Sequence, residues 1–450
     1  MGDSSISVTR MSSSPPTNAP PTTRRAIRRA AMAEPGWVQH QTQAIAVVGD
    51  EPHPPTPDQV EQQAWLEHQR YSAHYVTSAA HANPTPRPHL RRWLVTGLVV
   101  GISLVLATLF ALLYGYSFGF LWTVVSLLAA MLPLVVVLPV FLWLDRFEAE
   151  PWRFLVTAFL FGALISTGLA LIANTVGGAI LMGLTDHESA TVLTAVLIAP
   201  VTEETFKGLF LLAMWWFMRR EFNGLTDGIV YAGVVAAGFA FTENIQYFAT
   251  AALEHGLGGF AATFVMRGVL SPFLHPMFTT LTGIGVGLAA ASSSRTVRVV
   301  APIAGWCAAV FGHGLWNLSA SAGSQGLILG LTGGFIAFVA FVTFVVWARR
   351  HEGQLIGQHL MPYVATGWLS RDEVGMLASM SARREARRWA SRQYGARGVS
   401  SMRGFQDCAS ELALLRARMR SHATDREALR HERILLDSMT ARRREFAGVA

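Results

Sequence analysis

The chain has 450 residues, 51% of them hydrophobic and 14% charged, with a formal net charge of +7 from 35 arginines and one lysine against 29 acids. That balance excludes an ordinary soluble domain and points to an all-α, multi-span membrane protein. Most arginines lie in the two polar ends, which suits orientation by cytoplasmic positive charge and argues against a nucleic-acid partner.

Residues 1–92 read as a disordered cytoplasmic tail, punctuated by PPTNAPPTT, EPHPPTPDQ and NPTPRP. Residues 1–35 lack the apolar core of a cleavable signal peptide, so the first span is expected to act as an uncleaved anchor. A membrane core over 93–349 follows. Its eight apolar segments, near 93–114, 119–144, 154–182, 190–218, 226–252, 260–290, 299–320 and 325–348, are each long enough to cross about 30 Å of hydrocarbon. The 260–290 segment is interrupted by Pro272 and Pro276.

Charge in the connections supports that count. Arg87, Arg91 and Arg92 precede the first segment, and Arg146 and Arg153 join the second to the third. Arg219 and Arg220 follow the fourth, Arg295 and Arg298 the sixth, and Arg349 and Arg350 the eighth. The connections at 114–118, 184–189 and 321–326 carry no Arg or Lys, so both termini are expected in the cytoplasm. Residues 350–450 hold 18 arginines, 17 of them after Arg350, and 11 acids. Leu412, Leu415 and Met419, then Leu429 and Leu436, recur at helical spacing there and predict a basic helical tail. Two cysteines, Cys307 and Cys408, give no disulfide framework.

The fourth segment contains Glu203-Glu204-Thr205-Phe206-Lys207, and Lys207 is the single lysine of the chain. An ionised side chain at the bilayer centre costs about 2.5–3.5 kcal/mol on insertion scales, so three in five residues are expected to pair or to work. Glu203 and Glu204 fall at the midpoint of their segment and His275 at the midpoint of the sixth. His313 lies about one turn, roughly 5.4 Å, from the midpoint of the seventh. Separate helices thus bring four titratable groups to one level.

Glu203 and Lys207 are i,i+4 and share a face, whereas Glu204 points about 100° away toward another helix. His313 and Asn317 are also i,i+4, with Gly312 and Gly314 thinning the helix beside them. Pro276 frees backbone groups next to His275. Glu243, with Asn244 and Tyr247, either completes the polar site or holds Lys207, Arg267 or a water, and Arg267 can snorkel to the interface. Asp145 to Trp152 reads as an interfacial turn with a tryptophan anchor, and Asp227 as a charge favouring a helix N-terminus.

Two chemistries suit the cluster. His275, His313 and Glu204 can hold zinc as a His₂Glu set with an open position, although the His-Glu-x-x-His signature is absent. Without a metal, Glu204 can take a proton from water while His275, His313 and Asn317 orient it and stabilise the oxyanion. A different class, an ion-coupled transporter using the Glu pair and Lys207, is the rival reading.

From 142 to 317 the chain resembles the PrsW family of bacterial intramembrane proteases, in the superfamily that includes type II CAAX prenyl endopeptidases. The resemblance rests on Asp145-Arg146-Phe147-Glu148…Glu150-Pro151, Glu203-Glu204-x-x-Lys207, Gly238-Phe239-x-x-x-Glu243-Asn244, His275 and His313-x-x-x-Asn317. Prenyl proteases set Arg and Phe where this chain has Gly208 and Ser271, which favours the PrsW-like branch. The resemblance implies an endopeptidase of the bacterial plasma membrane acting on membrane-tethered proteins, with anti-sigma factors the typical substrates. It implies water activation by Glu203 and Glu204, with His275 and His313 as metal ligands or oxyanion partners. Lys207, Glu243, Asn244 and Asn317 are the expected supporting residues.

Overall fold

The computed structural model describes residues 87–447, apart from 148, 220–221, 223 and 422–425. The expected tail over 1–92 lies outside the described residues except for its last six, which already belong to the first helix. Every element among the described residues is a helix, as a bilayer requires of chains that must satisfy their own backbone polar groups. In chain order these are α1 (Arg87–Phe118), α2 (Phe120–Leu144), α3 (Trp152–Met182), α4 (187–217), α5 (Leu225–Phe264), α6 (Leu274–Ala291), α7 (Arg295–Ser321) and α8 (Gly323–Leu360). The chain then forms short α9 (Pro362–Ala365) and α10 (Arg371–Leu377), and long α11 (Met380–Ser421) and α12 (Arg426–Ala447).

Among the described residues, six helical stretches are long and apolar enough to cross a membrane. One of them, the 67-residue stretch Leu225–Ala291, contains both the fifth and the sixth predicted segments. The fourth predicted segment is α4, which stands outside the six because it carries Glu203, Glu204 and Lys207 close together. The chain is a multi-pass helical membrane protein.

α5 is the central column. Its residues from Asp227 to Phe239 are buried on every side, against α2, α3, α4 and α6. Glycine permits the closest contact: a Cβ on Gly228 would lie 2.1 Å from the Gly283 carbonyl oxygen, and the reverse substitution clashes equally. The column ends at Gly256, whose φ of +62° lets the chain reverse. The following residues fold back, so that Phe260 and Phe264 pack on Phe248 at centroid distances of 5.9 and 5.7 Å.

The returning strand of helix closes in a π-helical turn, Val265–Leu270, and breaks at 271–273 before α6 begins. Pro276 therefore sits in the first turn of α6, where its missing N–H costs nothing; it helps start a helix and does not kink one. His275 is in that same first turn. A helix end at this depth is tolerated where it lines a cavity. Two further π-helical turns, Phe161–Ser166 in α3 and Thr194–Ile198 in α4, flank the same region.

On the side of the bundle where α2 joins α3, Asp145 accepts from the Glu150 N–H at 2.9 Å and Glu150 accepts from the Tyr231 hydroxyl at 2.7 Å. Trp152 projects outward, 76% exposed. Asp227 Oδ2 accepts from the Gly224 N–H at 3.0 Å, capping the start of α5 as its position suggested. α8 runs without a break through the expected boundary at 349/350 and leads into a helical module built from α9 to α12. Leu412, Leu415 and Leu436 are buried in that module. Arg383 ties it to the α2–α3 turn by donating to the Phe147 carbonyl at 3.2 Å. Cys307 and Cys408 are both free.

Candidate active site

Four helices converge on one polar centre. α4 brings Glu203, Glu204 and Lys207, α5 brings Glu243 and Asn244, α6 brings His275 and Thr279, and α7 brings His313 and Asn317. Gly314 allows α7 to approach closely, since a Cβ there would come within 3.0 Å of the Val196 carbonyl in the π-helical turn of α4. Asn317 fixes that approach by donating to the Ala195 carbonyl of the same turn at 2.8 Å.

Lys207 and Glu204 have no exposed surface at all. The ammonium lies 2.8 Å from Glu204 Oε1, 3.6 Å from Glu203 Oε2 and 4.0 Å above the Phe239 ring centroid. Its tighter ion pair is thus with the i−3 glutamate, because Thr279 and His313 hold Glu204 in place. Thr279 Oγ1 donates to Glu204 Oε2 at 2.8 Å, and His313 Nδ1 lies 3.1 Å from Glu204 Oε1. Glu204 is therefore fully engaged, while Glu203 Oε2 is buried and makes no hydrogen bond.

The hydrogen-bond partners fix the two imidazoles. An ammonium can only donate, so His275 Nδ1, 3.1 Å from Lys207 Nζ, is the acceptor. His275 Nε2 then carries the proton and gives it to Glu243 at 2.8 Å. A carboxylate can only accept, so His313 donates from Nδ1 to Glu204, leaving Nε2 free to face Glu203 Oε2 at 3.9 Å. The rings meet edge to face at 5.1 Å, and Phe278 stacks on His313 at 5.4 Å.

Glu203, His275 and His313 each offer a donor atom within 4.8 Å of the others. The sequence suggests Glu204 as the carboxylate beside the two histidines, whereas the geometry groups Glu203 with them. This donor set suits a tetrahedral divalent ion such as zinc. The fit has three supports: the orphaned Glu203 oxygen, the unengaged His313 Nε2, and a carboxylate behind each ring, as metal-binding histidines commonly have. Lys207 rests on His275 Nδ1, so a bound cation and the ammonium would contend for that nitrogen.

The centre faces a cavity of about 780 Å³, lined by Glu203, Glu243, His275, His313 and Asn317 but not by Glu204 or Lys207. The lining continues to Met182, Thr191, Ser321 and Leu327, where α3 ends, α4 begins and α7 passes to α8. These are the connections without Arg or Lys. Thr279 is a residue that sequence reasoning did not place here, whereas Arg267 was one of the partners it offered for Glu243. Thr279 follows Glu203–Glu204 by a whole helix in sequence and only the α4–α6 packing reveals it. Arg267 does not snorkel outward: it pairs with Glu243, donates from Nε to Asn244 Oδ1 at 2.8 Å, and covers the Tyr247 ring at 4.0 Å.

Fold and site together define a polytopic membrane protein with a buried Glu/His/Lys centre opening into an intramembrane cavity. Residues 150–348, which carry every candidate site residue, match the profile of the family described as PrsW family intramembrane metalloprotease. The protein named Protease PrsW from Geobacillus kaustophilus is 31% identical over 161 residues, covering 36% of this chain and 65% of that relative. Protease PrsW from Clostridioides difficile is 30% identical over 145 residues, covering 31% of this chain and 55% of its own length. The Oceanobacillus iheyensis protein of the same name is 27% identical over 164 residues, or 36% of this chain and 69% of the relative. The chain thus spans just under two thirds of the first of these relatives and about half of the second. No solved structure matches it.

Proposed function

We propose that the chain is an intramembrane endopeptidase that hydrolyses membrane-tethered protein substrates. The observation that carries this reading is the pairing of a hydrogen-bond-free, buried Glu203 oxygen with an unengaged His313 nitrogen at the wall of an open cavity. A structural ion pair would leave neither group unused.

Glu203 is the carboxylate that meets water and substrate, as base or as ligand. Glu204, with three hydrogen-bonding partners, is the rigid support: it orients His313 through Nδ1 and keeps Lys207 in place. Lys207 holds down the charge of both glutamates in a medium that cannot solvate them. Phe239 packs on the His275 ring and Phe278 stacks on His313, so two aromatic rings wall the centre. A divalent ion held by Glu203, His275 and His313 would supply Lewis-acid polarisation of the scissile carbonyl and of water. Asn317 holds α7 on α4 and so sets the depth of His313.

Arginine in alternate connections supports both termini in the cytoplasm, and the bacterial relatives support placement in the plasma membrane. The cavity then opens in the outer half of the bilayer, and substrates enter from that side; single-span regulators such as anti-sigma factors have suitable topology. The test compares new protein N-termini in membranes from cells expressing the chain or its Glu203→Gln form. Termini produced only by the unaltered chain, near the outer ends of single-span proteins, are the expected result. Matching profiles from two well-folded, equally abundant proteins would remove the protease reading and favour the ion-coupled transport alternative, which is then read as solute flux.

A further inference from the structure

We infer that Arg267 is a positioning residue: acting through Glu243, it fixes the His275 ring with Nε2 on Glu243 and Nδ1 turned to Lys207, the neighbour of Glu203. The inference rests on the proteolytic reading for its consequence, but its geometric content stands separately. Arg267 lies in the π-helical turn Val265–Leu270, just before the helix break that delivers His275. A π-helical turn adds a residue to the helical circuit and re-aims the side chains that follow. Here it turns a guanidinium inward at a depth where an unpaired charge is costly.

Three contacts hold that planar group. Nε donates to Asn244 at 2.8 Å, Nη2 pairs with Glu243 Oε2, and the Tyr247 ring lies 4.0 Å beneath. A lysine has no such fork and could not reach both side chains in one geometry. The same Glu243 oxygen accepts from His275 Nε2 at 2.8 Å. Glu243 is thus shared, with the guanidinium on one side and the imidazole on the other, and its own placement depends on α5 and on Arg267 together. Phe239 packs on the ring at 5.6 Å but cannot distinguish its two faces. The bond from Nε2 to Glu243 does make that distinction, and it leaves Nδ1 on the Lys207 ammonium at 3.1 Å.

The test uses the full-length protein in lipid nanodiscs, labelled with ¹⁵N-histidine and treated with chelator, with the His275 signal assigned by its loss in His275→Gln. Unaltered protein is expected to show one His275 tautomer, protonated at Nε2. Arg267→Gln is expected to give a mixture of tautomers, and to lower kcat on a cleaved substrate about 10–100-fold with KM little changed, the usual size of an orienting-partner effect. Arg267→Lys should restore only part of both. A role in folding alone would lower thermal stability while leaving the tautomer of the folded fraction as it was, and that result overturns the inference. Should Arg267→Gln fail to accumulate, Asn244→Ala loosens the guanidinium while keeping its charge and is read in the same way. If the unaltered protein cleaves nothing, the proteolytic reading falls, while the tautomer comparison still decides whether Arg267 positions His275.

Discussion

Two regions of this molecule bury charge, and they do so differently. In the helical module after α8, Arg383 is among the most deeply buried side chains. It donates from Nε to the Leu377 carbonyl at 2.7 Å, from Nη1 to Phe147 at 3.2 Å and from Nη2 to Ser410 at 2.6 Å. Glu373 meets Arg443 through both carboxylate oxygens, at 2.9 and 3.1 Å, and caps Ser370 at 2.8 Å. Those groups are saturated by packing partners, and neither Arg383 nor Glu373 lines the cavity beside the membrane centre. In the membrane centre Glu204 and Lys207 are equally buried and equally engaged, yet beside them Glu203 Oε2 and His313 Nε2 are left for something else. Buried charge therefore does not identify an active site. What sets the membrane centre apart is a buried carboxylate oxygen without a hydrogen bond at a cavity wall.

Substitutions can break that contrast. The largest effect is expected from Glu203→Gln, which should lower cleavage by about 10²–10⁴-fold, the range for a lost acid–base group. Because Glu203 Oε2 makes no hydrogen bond, its melting temperature should hold, with less than about 1 kcal/mol lost. Lys207→Met should act in the opposite way. It strips the cation from two buried glutamates and should cost about 3–5 kcal/mol, seen as loss of folded protein in thermal-shift or chromatographic assays. Arg383→Met leaves three acceptors without their donor and should cost about 2 kcal/mol, while activity per folded molecule stays unchanged.

The smallest effect belongs to the turn between α2 and α3. Burial, with the charge of Asp227 adding to it, pushes the Asp145 carboxyl up to about 8, against the opposing pull of the Glu150 N–H. An acid whose folded value lies above its ordinary value of 3.8 favours the fold when protonated. That contribution is present below the ordinary value and is lost as pH rises through about 8. Thermal stability should therefore decline across this window. Asp145→Asn should flatten the decline and gain about 1 kcal/mol at its upper end, measured by melting at several pH values.

Much of this architecture was legible in the sequence because lipid imposes simple rules. Apolar length located the helices, and intramembrane Glu203, Glu204, His275 and His313 stood out because hydrocarbon does not accept such groups idly. What helical spacing could not supply was the third dimension. It paired Lys207 with Glu203, since both neighbours lie on adjacent turns; the choice of Glu204 was made by Thr279 and His313, which arrive from other helices. The reversal at Gly256 falls inside the connection that the apolar segments leave between 252 and 260. The π-helical turns at 161–166, 194–198 and 265–270 have no sequence signature of their own, so the carbonyl that receives Asn317 was out of reach, and for Arg267 the sequence left open the choice between Glu243 and the interface. The module after α8 announced its helices through leucine spacing, but not that Arg383 would anchor it to the α2–α3 turn.

The central claim is that Glu203, with His275 and His313, forms a hydrolytic centre that Glu204 and Lys207 only support. It is tested most directly by incubating purified protein in nanodiscs with a single-span substrate found in the N-terminal comparison. The unaltered chain should release a defined fragment. Glu203→Gln should release none while melting at the same temperature. Cleavage by Glu203→Gln at the unaltered rate would contradict the account and return the proton-accepting role to Glu204.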